Sequence, residues 1–260
     1  MPAMHAPLTP PNLCWNDDVV ASLERATLDA VAPQAWREWE SWLLPFDTST
    51  IGRATSAVPL RHHGLDAAAM AAIARQYAQR QLRPAFRVAD VPGLAPVQAA
   101  LQRLGFRAEQ PTLVQTGSVA ALRAACTTEP APVTPAPDAA WAAVYTAPGF
   151  DPVDGAHRVQ ALSRSHHAVY ASLSENHLPL AAGTAAFSQG WASIHGMRTV
   201  PSARGRGLAT RILGGLADAA LARGLTRVFL QVEEGNQTAL ALYQRAGLAT
   251  AWRYHYWRQP

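Results

Sequence analysis

Two short stretches of this chain read almost as copies of one another, and their closing glycines lie 142 positions apart. Ala100-Leu101-Gln102-Arg103-Leu104-Gly105-Phe106 and Ala241-Leu242-Tyr243-Gln244-Arg245-Ala246-Gly247-Leu248 each describe an amphipathic helix stopped by glycine and followed by a strand-like run. Upstream of each lies an apolar strand, over residues 85–89 and 227–232. A lone strand–helix–glycine–strand unit is common, but two that match in order and length point to a duplication. Between them runs TTEPAPVTPAP, residues 127–137, whose prolines remove backbone donors and push their neighbours into extended conformations. This run divides the chain into domains 1–126 and 127–260, unless it opens the second one as an edge strand.

Composition narrows the class. With 49% hydrophobic and 15% charged residues, 260 residues describe folded globular domains with cores of their own. The net charge of +4 is carried by arginine alone, since there is no lysine, a usage expected of a GC-rich bacterial genome. The arginines form no block, which argues against a nucleic-acid surface and leaves anionic small ligands open. Cys14 and Cys126 stand far apart without metal-ligand spacing, so a reducing, cytoplasmic setting is expected. Residues 1–11 lack the pattern of a secretion signal, and no run approaches the roughly 20 apolar residues of a membrane span.

In the second half, helices are expected over residues 138–145 and 154–163, then three strands over 167–173, 180–187 and 191–200. A long helix over 207–223 stops at Gly224, and a strand (227–232), a helix (236–246) and a last strand or strand pair (248–258) follow. The segment Val200-Pro201-Ser202-Ala203-Arg204-Gly205-Arg206-Gly207-Leu208-Ala209 sits between a strand and the long helix. Glycines there let main chain approach a ligand, and a helix N-terminus offers free N–H groups and a positive dipole end, together an anion site suited to a pyrophosphate. No Gly-Lys-Ser/Thr follows and the Gly-x-Gly-x-x-Gly spacing is missing, so neither a Walker loop nor a dinucleotide fingerprint is present.

Arg204-Gly205-Arg206-Gly207-Leu208-Ala209 resembles the Arg/Gln-x-x-Gly-x-Gly/Ala signature of the GNAT N-acetyltransferase superfamily. Leu230 to Asn236 and Ala239 to Leu248 resemble its second landmark, an apolar strand, an Asn, then Ala-x-x-Leu-Tyr-x-x-x-Gly-Phe, with Leu248 in place of Phe. The likeness covers about residues 138–258. The first half resembles the same fold without the loop: Leu60-Arg61-His62-His63-Gly64-Leu65 stands in its place. The resemblance is to bacterial tandem GNAT proteins with a degenerate N-terminal repeat. It implies an α/β (α+β) fold of two GNAT-like domains, each a mixed, mostly antiparallel sheet flanked by helices.

What the resemblance implies for the site is specific. Main-chain N–H groups of Arg204, Gly205, Arg206, Gly207, Leu208 and Ala209 would hold the pyrophosphate of acetyl-CoA. Met197, Arg198 and Thr199 would pair with its pantetheine arm, and CoA would leave as product. Tyr243 would protonate the departing thiolate, and Asn236 would cap its helix, donate to the cofactor, or both. Alternation places Ser193, His195, Met197 and Thr199 on one face of their strand. His195 is the candidate general base, with Glu233 and Glu234 as alternatives, and in each case a purely structural role competes. Adjacent histidines on a strand point to opposite faces, so His62-His63 and His166-His167 are read as non-metal pairs and no metal is expected. Residues 151–164 are candidates for the acceptor side, as are Arg53 and Ser56 in the first half, for each of which a surface or structural role is the stronger alternative.

The expected reaction is direct transfer of acetyl to a primary amine on a small molecule or peptide, without nucleic acid or membrane. Two alternatives stand beside it: a non-catalytic acyl-CoA-binding regulatory module, and a transferase of longer acyl or aminoacyl groups. Acceptor identity and oligomeric state are not legible.

Overall fold

The computed structural model describes residues 15–260, so Cys14 and residues 1–11 lie outside the described part. Asn16 caps the first helix, α1 (Asp17–Val31), by accepting from the Val19 N–H. A hairpin of β1 (Ala35–Trp39) and β2 (Trp42–Phe46) follows, then α2 (Gly52–Thr55) and β3 (Val58–Pro59), which completes a small antiparallel sheet. The first half continues with α3 (Ala69–Ala78), β4 (Ala85–Ala89), α4 (Ala95–Arg103), β5 (Arg107–Ser118) and α5 (Val119–Ala125).

In the second half the elements fall within a few residues of those read from sequence. They are β6 (Val133–Thr134), α6 (Ala139–Tyr145), α7 (Pro152–Ser163), β7 (Ala168–Glu175), β8 (Leu178–Ser188) and β9 (Trp191–Thr199). After them come α8 (Leu208–Leu221), β10 (Arg227–Glu233), α9 (Gln237–Arg245) and β11 (Ala249–Arg258). Two hairpin turns are built on consecutive positive φ angles, at Asn176-His177 and at Gln189-Gly190, as primed turns require. Helix α7 starts two residues earlier than expected because Asp151 caps it and Pro152 fits the first helical position.

The repeated unit is real in three dimensions. Gly105 and Gly247 have φ of 82° and 81°, and the next residue closes the same helix cap in each. Phe106 N–H donates to Leu101 O, and Leu248 N–H to Tyr243 O, both at 3.0 Å. The large sheet has the order β4-β11-β5-β10-β9-β8-β7-β6. Strand β5 of the first half lies between β10 and β11, antiparallel to both, while β11 pairs on its other side with β4. The halves thus exchange their last strands, and the 126/127 division runs through one continuous sheet.

The proline-rich run takes the edge-strand alternative. Val133 and Thr134 pair with Ala171 and Tyr170, and the Ala131 N–H donates to Arg211 O at 2.8 Å, fastening the segment to α8. One core packs α8 and α6 against β7–β10, and another packs first-half helices against β4, β11, Trp191 and Phe229. Helix α1 lies against β8 and β9 and is tied to β9 and β10 by Trp191 Nε1 to Ser22 Oγ and Gln231 Nε2 to Thr27 Oγ1, both 2.9 Å.

Candidate active site

Strands β9 and β10 run parallel and pair only from Arg227↔Trp191 to Leu230↔Ile194. Beyond that point the two no longer pair with each other, and β9 runs on to Thr199 along β8 and β10 to Glu233 along β5. The parted ends frame a cleft with a cavity of about 650 Å³ on the side of α8 and one of about 270 Å³ towards the first half. Met197, Asn236, Ala239 and Tyr243 belong to the walls of both. A molecule lying in one would therefore meet a molecule lying in the other beside Tyr243.

The larger cavity gathers Met197, Arg198, Thr199, Arg204, Gly205, Gly207, Leu208, Ala209, Asn236 and Tyr243 on its walls. Gly205 and Gly207 adopt φ of 78° and 75°, and an added Cβ at either would meet nothing within 4 Å. Protein packing does not require these glycines; the left-handed turn and the space above it do. Gly207 caps α8 and takes up the Thr210 N–H at 3.1 Å, so the first two N–H groups of the helix, Leu208 and Ala209, are the ones left without an intrahelical acceptor. Such a loop could hold a diphosphate such as that of a CoA ester, and the residues present fit it. Arg206 does not share in the wall: its guanidinium meets Glu175 at 3.1 Å on the surface.

The strand end departs from simple alternation. Thr184 faces His195 and Ala182 faces Arg198, so Gly196 and Met197 together oppose Gly183, a bulge in which Gly196 takes φ of 62°. His195 stacks on Phe229 in the core towards the first half, whereas Met197 packs with the core under α8, where its sulfur crowds Gly183. The expectation of one shared face for Ser193, His195, Met197 and Thr199 is therefore corrected, because the extra residue turns the strand over at Gly196. Tyr145 pins the bulge, its hydroxyl donating to the Gly196 carbonyl at 2.7 Å. The Arg198 side chain turns away to Asp154 (3.1 Å) and lies 4.4 Å over Phe150, leaving main chain as what Arg198 can offer a cofactor.

Tyr243 is 6% exposed, and its hydroxyl has no hydrogen-bond partner among the described residues. Burial pushes its pKa up to about 12, so the phenol keeps its proton across the physiological range. Asn236 caps α9, accepting from the Ala239 N–H at 3.1 Å, and its residue also lines the cleft.

A family model described as "Probable histone acetyltransferase Rv0428c C-terminal" matches residues 19–257, nearly the whole chain. The chain belongs to this family. Solved structures agree in fold. A GCN5-related N-acetyltransferase from Kribbella flavida is 17% identical and superposes with a TM-score of 0.67, covering 93% of this chain and 96% of its own. A tandem GNAT protein from the clavulanic acid biosynthesis pathway is 13% identical at a TM-score of 0.60, covering 94% and 95%. A putative GNAT acetyltransferase from Novosphingobium aromaticivorans DSM 12444 is 16% identical at 0.57, covering 92% and 99%. No curated protein sequence matches the chain.

In this GNAT acetyltransferase the smaller cavity is walled by both halves. Thr50, Arg53 and Gln110 come from the first, and Arg158, His195, Gln231 and Glu233 from the second. His195 is 3% exposed, with Nε2 unpartnered; burial, then Arg53 and Arg87, hold its pKa well below 6.5. A ring so disfavoured as a cation stays neutral at physiological pH, with one nitrogen able to accept a hydrogen bond. Arg53 lines this cavity, but Ser56 does not: it is buried and its hydroxyl donates to Gly52 O at 2.6 Å. Glu234 meets Arg253 at 3.4 Å, outside the cavity.

His62 stacks on Trp252 and His63 meets Asp17, while His166 and His167 are exposed. Among the described residues no group of three or more His, Cys, Asp or Glu could hold a metal, and no helix is long and apolar enough to cross a membrane. Sequence reading missed Arg258, Gln110 and Tyr256 on the wall of the smaller cavity and Tyr145 behind the bulge, whereas Arg158 falls within the segment 151–164 that it named. Gln110 lies on β5 and Tyr256 and Arg258 on β11, and only the exchanged sheet brings those two strands together.

Proposed function

We propose that this acetyltransferase moves the acetyl group of acetyl-CoA to a primary amine by direct attack. One observation carries the reading: the glycine cradle, the bulged strand end and the free hydroxyl of Tyr243 line a single cleft that opens beside a second, acceptor-sized cavity. In it, residues 127–260 bind the cofactor, and the degenerate unit 1–126 supplies much of the acceptor wall. Main-chain N–H groups from Arg204 to Ala209 grip the pyrophosphate, and residues 197–199 align the pantetheine arm.

The bound thioester supplies the acyl group. His195 receives a hydrogen bond from the neutral amine and fixes its direction, while water carries off the proton that the ammonium form must lose. Tyr243 holds a proton ready for the thiolate. As the C–S bond breaks and the amide forms, that phenolic proton goes to sulfur, and the tyrosine is restored from the proton of the attacking nitrogen. The family's description names histones; the modest volume of the acceptor cavity favours a small molecule or a peptide end.

Calorimetry with CoA, together with thiol release from acetyl-CoA across an amine panel, tests the reading. Tyr243→Phe should leave CoA affinity unchanged and lower kcat by about 10²–10⁴-fold. No binding of CoA sinks the proposal. Binding without thiol release to any acceptor returns the regulatory-module reading, and turnover confined to longer thioesters returns the acyl or aminoacyl one.

A further inference from the structure

Beneath the acceptor cavity lies an unusual balance of charge. Arg87 and Glu24 are each 2% exposed and meet at 2.6 Å, so the two neutralise one another inside the protein. Arg53 stands close enough to bear on Glu24, Tyr254 and His195, yet it forms no ion pair and no hydrogen bond with any described residue. Its Nε is buried without a partner. Two guanidinium groups thus share one carboxylate, and one positive charge faces the cavity uncompensated.

The other cations of the wall each have a carboxylate within hydrogen-bond distance, although Arg158 shares Asp154 with Arg198. Arg158 holds Asp154 at 2.6 Å, and Arg258 is paired with Glu109. Gln231 is spent as well, donating to Thr27 and accepting from Tyr254. Besides the Tyr243 hydroxyl, the wall groups without a partner among the described residues include the Arg53 guanidinium and the His195 Nε2, the latter on a side chain 3% exposed. Arg53 is firmly placed, because α2 packs so tightly on Tyr256 that a Cβ at Gly52 would stand 2.7 Å from the ring. At the other side of the cavity Glu233, held by Gln110 at 2.7 Å, is the wall's anion.

A cation kept in a half-buried wall without a partner is costly unless its ligand brings the counter-charge. A planar guanidinium binds a carboxylate through two parallel hydrogen bonds, the strongest match available to it. We infer that the acceptor is an amine whose own molecule carries a carboxylate, an amino acid or a compact derivative, bound with that carboxylate on Arg53 and its nitrogen beside His195 and Glu233. The inference rests on the N-acetyltransferase reading and names the substrate class of the same site. A lysine in a basic protein tail would bring further positive charge to a cavity that already holds the partnerless Arg53, and is disfavoured.

The test compares matched acceptors in thiol release from acetyl-CoA: each of the twenty L-amino acids, its amide and its decarboxylated amine, and a lysine-rich peptide. Binding of N-acetyl-amino acids against their amides, measured by calorimetry with CoA present, reads the same preference without turnover. At least one carboxylate acceptor should exceed its amide about 100-fold in kcat/KM, mostly through KM. Arg53→Met should bring the pair within a few-fold of each other, Arg53→Lys should restore part of the gap, and CoA affinity should be unchanged in both. Equal handling of acid and amide in turnover and binding, a preference for the lysine peptide, or a preference that survives in Arg53→Met, each with CoA binding intact, overturns this inference alone. Loss of CoA binding by the unmodified protein overturns the underlying reading with it.

Discussion

At the scale of single residues, the acceptor wall is held by groups that burial has forced into fixed charge states. Burial pushes the Glu24 carboxyl up against the pull of Arg87; desolvation also works against the charge on Arg87, but Glu24 and the neighbouring tyrosines outweigh it. Replacing Glu24 with Gln leaves Arg87 uncompensated, and denaturant unfolding should show a loss of about 3–5 kcal/mol. The pair Glu24→Met with Arg87→Met should recover much of it. His195 and His62 are both held below 6.5 chiefly by burial, His62 to about 4. Below pH 6.5 the unfolded chain takes up protons at these rings that the folded chain refuses, so stability falls on acidification. Each ring contributes up to about 1.4 kcal/mol per pH unit, the share of His62 ending near pH 4. Urea unfolding at pH 7.5 and 5 should therefore show a smaller acid loss in His195→Gln than in the parent. Equal losses would mean that the ring titrates freely in the folded state.

At the scale of elements, glycines of one sequence type do two kinds of work. In α8, a Cβ at Gly215 would stand 2.1 Å from the Ala131 carbonyl oxygen, so the helix touches the proline-rich run main chain to main chain. Gly215→Ala must lift that segment away, and thermal unfolding should register a loss of about 1–3 kcal/mol with the cleft undisturbed. At the head of the same helix Gly205 has open space, and Gly205→Ala should cost only about 1 kcal/mol of stability while CoA affinity falls at least about tenfold. The opposite pattern, with affinity kept and stability lost, would show that the loop is structural. Both helix boundaries and the loop were legible because they depend on neighbours a few residues away. The bulge at Gly196 was not, since an extra residue on one strand is defined only against the strand opposite.

At the scale of the whole molecule, the exchange of β5 and β11 makes the two halves one folding unit. Without residues 107–118, β10 loses its antiparallel partner from Arg227↔Ser118 to Glu233↔Thr112, and β11 loses the strand on its inner side. Two long unpaired edges would be exposed, and such edges aggregate. Residues 127–260 expressed alone should be insoluble or lack a cooperative unfolding transition, whereas residues 15–260 should unfold cooperatively. A soluble, CoA-binding 127–260 fragment would show that the exchange is dispensable. The same exchange explains why the acceptor wall was only partly foreseen: Arg53 and His195 were both named from sequence, but nothing local puts them beside one another.

Local chemistry is written along the chain. The glycine stops, the capping residues Asp138 and Asn236, the primed turns and the loop before α8 each follow from a few adjacent residues, and so does the candidate cofactor side of the cleft. Which strand inserts beside which, the overturned face at Gly196, and the partnerless guanidinium of Arg53 in the cavity wall all depend on contacts between residues far apart in sequence, where loop closure and burial decide the outcome.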